Sequence, residues 1–352
     1  MVFSVILCRR RWLVKPETFS HMKYFLFFII SVLAGSTAYT QTATQLREQA
    51  RTLLQQGDFE KAIATLKQAK QTYPSDKEVL KDLTYASYLN RDFGTAIEIG
   101  KQLVERPDAD PQSFQMLGMA YKSIAAAKEA ARLYKTALQK FPNSGVIYNE
   151  YGELFAMDQH LDDAVVQWEK GIEADPNYSS NYYNAAMYYN RAQNWLKTIL
   201  YGETFMNLES FTKRTENMKP VLQEAYKKIL LPGTISNLQQ ARNISEFEKN
   251  VLSSYAQAAA TVKDAGSVDG ISAFRKQFIT DWSKMKQTRY PSRLFEHQQQ
   301  LQAEGLSDTY SNWLLTSADE YQSWQSAHPR ESAAFKKWQE NKVFKIPAGQ
   351  HY

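Results

Sequence analysis

The amino-acid sequence predicts an all-α protein, an α-solenoid of about five helix hairpins followed by a helical C-terminal domain. Three observations lead to this prediction. A pattern of aromatic, small and proline residues recurs about every 34 residues through the first half of the chain. Ala, Gln, Lys, Glu and Leu, which favour helices, dominate the middle, and only 14 glycines and 11 prolines occur among 352 residues. Long patterns typical of β-strands are missing from the sequence.

The recurring pattern is most complete in two adjacent units. In the first of these it consists of Phe114, Leu117, Gly118, Tyr121, Ala130, Tyr134 and Pro142. One period later the same positions hold Tyr148, Tyr151, Gly152, Phe155, Ala164, Trp168 and Pro176. Less complete copies flank them, at Phe59, Ala62, Leu66, Ala69 and Pro74, at Phe93 and Ala96, and at Trp195 and Thr198. A fixed period of this length indicates stacked modules rather than an unrelated helical bundle.

In these positions the sequence resembles the tetratricopeptide-repeat family, with five units spanning residues 43–212. The second unit departs from the family pattern because Pro107 comes one residue early, and the fifth has Ser210 where proline is usual. The resemblance implies two antiparallel helices per unit. Since one such hairpin cannot bury its own apolar side, successive units must stack.

Each predicted second helix carries one bulky and one small residue three positions apart. The pairs are Leu66 with Ala69, Gly100 with Leu103, Tyr134 with Ala137, Trp168 with Gly171, and Gly202 with Phe205. This compensation predicts a fixed packing space in every unit, which Trp168 fills in the fourth. In addition, Ser75 followed by Glu78 predicts a capping box at the start of the second unit.

The family resemblance implies that the first helices of the units line a concave groove that holds a peptide or a partner helix. The groove positions of this chain are Arg47, Arg51, Lys81, Tyr85, Tyr88, Gln115, Met119, Lys122, Asn149, Glu153, Met157, Tyr183, Met187, Asn190 and Arg191. Tyrosine, methionine and amide side chains suit adaptable protein contacts. The alternative is that these residues form ordinary solvated helix surface. Tyr85 stands where an asparagine would be needed beside Lys81, which disfavours a clamp for acidic C-terminal tails.

The C-terminal third is predicted to be helical throughout. Residues 213–230 would cap the solenoid, and residues 232–345 would form a domain with helices near 236–263, 268–287, 292–304, 307–315, 317–327 and 330–341. Ser317 and Glu320 predict a capping box. The region is rich in aromatic residues: Phe274, Phe278, Trp282, Phe295, Tyr310, Trp313, Tyr321, Trp324, Phe335 and Trp338. They predict a helical core if buried, or a stacking surface for a glycan or partner helix if exposed.

Residues 1–40 are interpreted as a leader with a signal peptide. Lys23 precedes an apolar run over residues 24–34, and small residues follow at positions 35–38, with cleavage expected after Ala38 or Thr40. Translation could instead start at Met22. This leader predicts a periplasmic or secreted protein. An uncleaved membrane anchor is the alternative, although the run is shorter than the roughly 20 residues that span a bilayer.

Charge and residue chemistry argue against several functional classes. Beyond the leader the chain has 37 basic and 36 acidic residues, so the sustained basic face that nucleic acids require is not expected. The five histidines lack metal-ligand spacing, the one cysteine, Cys8, lies in the leader, and no phosphate-binding glycine loop or Gly-x-Ser-x-Gly motif occurs. The sequence therefore predicts an exported, non-catalytic scaffold for a protein or peptide, without cofactor, metal or nucleic acid. A glycan- or small-ligand-binding protein and a hydrolase hidden in the C-terminal domain are the alternatives.

Overall fold

The computed structural model describes residues 41–350, and these residues form helices and connecting turns without a β-strand. Five hairpins come first: α1 (Ala43–Gln55) with α2 (Phe59–Thr72), α3 (Lys77–Leu89) with α4 (Phe93–Val104), α5 (Pro111–Ser123) with α6 (Ala127–Lys140), α7 (Gly145–Met157) with α8 (Leu161–Ala174), and α9 (Ser179–Arg191) with α10 (Trp195–Leu208). The all-α hairpin architecture is thus confirmed. The predicted signal peptide in residues 1–40 lies outside the described residues.

Eight further helices complete the described part of the chain. They are α11 (Lys213–Ile229), α12 (Thr234–Gln239), α13 (Glu246–Ala259), α14 (Val268–Met285), α15 (Arg293–Ala303), α16 (Ser307–Leu315), α17 (Ala318–Ala327) and α18 (Pro329–Asn341). The single helix expected near 236–263 is wrong, since α12 ends at Gln239 and α13 begins at Glu246. The cause is a capping box in which Ser245 and Glu248 satisfy each other's backbone N–H groups and start a new helix.

The other two predicted helix starts have different outcomes. The capping box of Ser317 and Glu320 is present at the start of α17. At α3, however, the capping residue is Asp76 rather than Ser75. The Asp76 carboxylate accepts hydrogen bonds from the backbone N–H groups of Glu78 at 2.9 Å and Val79 at 3.0 Å. Aspartate caps as well as serine does, and residue 76 is the one adjacent to the first helical turn.

The turn inside each hairpin uses the same backbone conformation once per unit. The residues with positive φ at this position are Gly57 (80°), Arg91 (59°), Ala125 (56°), Gln159 (62°) and Gln193 (57°). A left-handed residue ends the first helix sharply, which lets the second helix fold back against it. Glycine adopts this conformation without steric cost, whereas the other residues adopt it at the expense of stability.

Ala125→Gly is therefore expected to raise the free energy of unfolding by about 0.5–1 kcal/mol, because it removes the clash of the alanine Cβ in the left-handed region. Urea denaturation measures the change. Ala131→Gly, inside α6, is the matched control and is expected to lower stability by about 1 kcal/mol. Destabilisation by both substitutions would contradict the assigned turn conformation.

In the third and fourth hairpins, the bulky residue on the second helix packs against a glycine on the first helix. A Cβ added to Gly152 would overlap the Trp168 ring, and one added to Gly118 would overlap the Tyr134 ring. Gly171 instead faces Asn181 of the following unit. The prediction that the large and small residues of a second helix fill one common packing site is therefore wrong. The bulky member fills the hairpin, and the small member lets the next unit approach.

The last repeats and the C-terminal helices share one hydrophobic core, which extends from α8 and α10 to Ile346. Trp282, Trp313 and Trp338 are at most 5% exposed and lie within it. Their burial favours the interpretation of the aromatic residues as a helical core over a glycan-stacking surface. The chain end returns to the solenoid, since the Asn177 side chain exchanges two hydrogen bonds of 2.9 Å with the backbone of Ile346.

Candidate functional site

All the predicted groove residues lie on the first helices, α1, α3, α5, α7 and α9, which contact one another from unit to unit. We call the surface of these five helices the first-helix face. It carries two parallel rows of side chains with different roles. One row is occupied by hydrogen bonds between units, and the other is largely open to solvent.

The occupied row links neighbouring units through residues 35 positions apart. The Arg47 guanidinium donates to Asp82 at 2.7 Å, and Gln115 donates to Glu150 at 2.9 Å. At the next step Asn149 Oδ1 accepts from the Asn184 side chain at 2.9 Å. We call these contacts the inter-unit ladder. Because both partners are satisfied within the protein, these side chains fix how one unit sits on the next.

Lysines 81 and 122 strengthen the ladder with ion pairs. The Lys81 ammonium contacts Asp110 at 2.5 Å, and Lys122 contacts Glu150 at 2.6 Å and Glu153 at 2.8 Å. Burial alone would lower the pKa of Lys122, but the two carboxylates outweigh burial and raise it. Burial likewise favours the neutral form of Asp110, yet the hydrogen bond from Lys81 holds the pKa of that carboxyl well below its usual value. Both lysines are therefore engaged in ion pairs within the protein.

The open row contains the equivalent residue of each unit: Arg51, Tyr85, Met119, Glu153 and Met187. We call it the exposed row. The Tyr85 and Met187 residues are 43% and 38% exposed, and the side chains of Arg51 and Glu153 are 45% and 42% exposed. Met119 is half-buried. Two members of the row also take part in contacts between units, since Arg51 donates to Asp82 at 3.4 Å and Glu153 accepts from Lys122 at 2.8 Å. The predicted groove therefore contains two kinds of residue, and Tyr85 and Met187 are the exposed apolar members of the row.

The remaining predicted residues flank the exposed row. Met157, at the end of α7, is 54% exposed, and Arg191 is exposed, whereas Tyr88 and Asn190 are half-buried. Tyr183 is held in place because its ring packs against Phe205 at 5.0 Å and beneath the Arg214 guanidinium at 5.3 Å. No group of three metal-ligating side chains occurs within residues 41–350, and no helix there is long and apolar enough to cross a membrane.

A buried polar cluster, which sequence reasoning missed, joins the repeats to the C-terminal helices. Glu203 on α10 is fully buried and accepts hydrogen bonds from Arg275 on α14 at 2.9 Å, from Gln298 and from the Tyr226 hydroxyl. Arg275 also donates to Ser311 at 2.8 Å. Burial, reinforced by the Glu203 carboxylate, raises the pKa of Tyr226 well above its usual value. The only signal in the sequence is a charged residue on an otherwise apolar helix face.

Comparison with known proteins agrees with the repeat architecture. The family model for the tetratricopeptide repeat matches residues 47–114 and 117–179. Human tetratricopeptide repeat protein 21B is 27% identical over 200 residues, which are 54% of this chain but 15% of that protein. These matches support the tetratricopeptide-repeat family for this chain. Proteins of this family generally mediate protein–protein interactions and are typically non-catalytic scaffolds.

The solved structures that this chain is similar to include TTC0263, PilW and YrrB. TTC0263 from Thermus thermophilus is 15% identical, covers 52% of this chain and 98% of its own, and has a TM-score of 0.43. PilW, a type IV pilus biogenesis factor, is 14% identical, covers 60% of this chain and 97% of its own, and also has a TM-score of 0.43. YrrB, described as having an unusual peptide-binding site, is 19% identical, with coverage of 49% and 89% and a TM-score of 0.34.

Proposed function

We propose that this protein is an exported, non-catalytic scaffold that binds a peptide or a partner helix along the exposed row of its first-helix face. The observation that carries the proposal is the row itself. Its residues recur once per unit, and the exposed Tyr85 and Met187 do not hold the units together as the ladder residues do. The support for a binding role is that these two large apolar side chains are exposed at the same position of separate units.

The spacing of the row suits a regular ligand. Packed helices lie about 8–10 Å apart, so one row residue is expected for each such step. An extended peptide advances about 3.3 Å per residue and would present every third side chain to successive units. A helix advances about 1.5 Å per residue and would present every sixth or seventh. Each ligand would meet apolar side chains at Tyr85, Met119 and Met187. The charged Arg51 and Glu153, which already form ion pairs with Asp82 and Lys122, would lie beside these contacts.

The proposed export is supported by the sequence of residues 1–40, with its basic start, short apolar run and small-residue exit. A periplasmic or secreted location follows from that leader. N-terminal sequencing of the protein recovered from a producing cell tests the proposal. A mature start at Tyr39 or Gln41 is expected, whereas a chain that retains residues 24–34 in the membrane fraction would indicate an uncleaved anchor.

Tyr85→Ala and Met187→Ala are each expected to weaken peptide binding about 10-fold, because each removes a large side chain from the proposed contact. The probe is a peptide long enough to span all five units, selected from a random displayed library on the wild-type protein, with affinity measured by fluorescence anisotropy. The double variant is expected to bind more weakly than either single variant.

Val166→Ala is the matched control, since Val166 is 45% exposed but lies on the second helix α8. It should leave affinity unchanged, and none of the three substitutions should move the thermal midpoint substantially. Wild-type affinity in the Tyr85/Met187 double variant, or failure of the wild-type protein to select any peptide, would refute binding along the exposed row.

A further inference from the structure

A cleft of about 620 Å³ lies between the start of α11 and the helices α16 to α18, and no residue of the exposed row lines it. Its apolar walls are formed by Phe211, Trp313, Tyr321 and Phe335. Trp313 and Phe335 are at most 5% exposed and form the floor, whereas Phe211 in the turn before α11 is 78% exposed. Ligand sites in proteins commonly have volumes of roughly 300–1,000 Å³ and predominantly apolar walls.

Helix α17 forms one wall of the cleft through Ala318, Tyr321 and Gln325. The helix contains no buried residue, and its half-buried Tyr321 ring lies under the Lys219 ammonium of α11. The exposed Phe211 ring lines the same cleft as this helix. A ring that is 78% exposed gains little hydrophobic stabilisation from the protein itself, and burial against a bound molecule would provide it.

The charged residues of the cleft favour an anion. The Lys219 side chain is only 4% exposed, and its ammonium contacts Glu216 at 2.9 Å and the Tyr321 ring at 5.8 Å from its centre. Two further lysines line the cleft, Lys213 and Lys336, and neither forms an ion pair with another described residue. Glu340 is the second carboxylate of the lining. Three lysines thus face two glutamates, which leaves one positive charge for a ligand to neutralise.

The geometry points to a binding site for an amphiphilic anion, with an apolar chain against Phe211, Trp313 and Tyr321 and one carboxylate head near Lys213 and Lys336. The site is separate from the exposed row, so it does not depend on the function proposed for that row. Its apolar walls account for binding of the chain. Its uncompensated positive charge accounts for selection of the head group.

Isothermal titration calorimetry with the chain from residue 41 onward tests the site. The probes are decanoate, decanol and decyltrimethylammonium, each below its aggregation concentration. We expect decanoate to bind with a stoichiometry of one and the cationic probe to bind about 10-fold more weakly or not at all. Decanol, which has the chain without the charge, is expected to lie between them.

Variants separate the apolar and charged contributions. Phe211→Ala is expected to weaken all bound probes about 10-fold, whereas Val343→Ala, at a residue 81% exposed outside the cleft, should change nothing. Replacing Lys213 and Lys336 together by glutamine is expected to weaken decanoate about 5-fold and leave decanol unchanged. Lys337→Gln, next to Lys336 but outside the lining, is the charge control.

Three outcomes would overturn the assignment. They are the absence of saturable decanoate binding, equal affinity for the cationic and anionic probes, and wild-type decanoate affinity in Phe211→Ala. A concentration-dependent dimer that Phe211→Ala dissociates would show that a second copy of the chain fills the cleft instead. Analytical ultracentrifugation of the same samples detects that dimer.

Discussion

Trp168→Ala is expected to lower the free energy of unfolding by about 3–5 kcal/mol. The Trp168 side chain is 5% exposed, fills the fourth hairpin against Gly152, and donates a hydrogen bond from Nε1 to the Asn149 backbone carbonyl at 3.4 Å. Its removal would leave a cavity in a densely packed interior that the flanking helices cannot collapse to fill. Urea denaturation, followed by circular dichroism, measures the loss.

The glycine opposite provides a sharper test of the same contact. Gly152→Ala should destabilise the wild-type protein, because the new Cβ would overlap the Trp168 ring, but should cost much less once Trp168 is alanine. Val166→Ala, on the same helix and exposed, should change stability by no more than about 0.5 kcal/mol. Additive effects of Gly152→Ala and Trp168→Ala would contradict the packing of these residues against each other.

Glu203→Ala is expected to lower the free energy of unfolding by about 3–5 kcal/mol, since it leaves the buried Arg275 guanidinium without its counter-ion. The same substitution removes the acceptor for Gln298 and Tyr226. The cluster joins α10 to α11, α14, α15 and α16, so the loss should destabilise the C-terminal helices together with the fifth repeat. Denaturation monitored by tryptophan fluorescence reports on that region.

Glu173→Ala is the control for this prediction, because Glu173 is exposed on α8 and has no ion pair among the described residues. Its effect should lie within about 0.5 kcal/mol. A double replacement, Glu203→Leu with Arg275→Met, removes both charges and should be much less harmful than Glu203→Ala. Equal effects of Glu203→Ala and Glu173→Ala would contradict the role of the cluster in stability.

The repeat architecture could be predicted from the sequence because its signal is periodic. Apolar, small and proline residues recur at a constant interval, and a slip in register would expose apolar residues such as Leu117 and Ala164, which are at most 1% exposed. The exact capping residue of α3 could not be predicted, because Ser75 and Asp76 are adjacent and both are good capping residues. The positive φ angles at Arg91 and Ala125 could not be predicted, because neither position holds a glycine.

Contacts between distant segments could not be predicted from the sequence. Glu203 and Arg275 are 72 positions apart, and Asn177 meets Ile346 across 169 positions. Both contacts depend on how the C-terminal helices fold back onto the last repeats, and no periodic pattern extends into that region. The aromatic residues there showed where a core was possible, but only their burial distinguishes a core from a stacking surface.

The candidate site was predictable in position but not in detail. The family resemblance located the first-helix face, but it grouped Lys81, Gln115 and Asn149 with Tyr85 and Met187. The structure separates the two sets. Lys81, Gln115 and Asn149 bind neighbouring units, whereas Tyr85 and Met187 face solvent. Complementary residues 35 positions apart, such as Arg47 and Asp82, are the sequence signal that could have revealed the ladder.

The most direct test of the central claim is site-specific photo-crosslinking of the selected peptide. A benzophenone amino acid is placed at Tyr85, Met187 or, as control, Val166. Tyr85 and Met187 lie three repeat steps apart, a distance of about 24–30 Å. Their crosslinks are therefore expected about 7–9 residues apart on an extended peptide, or about 16–20 residues apart on a helical one. Crosslinks to one and the same peptide residue from both sites, or equal yield from Val166, would contradict binding along the exposed row.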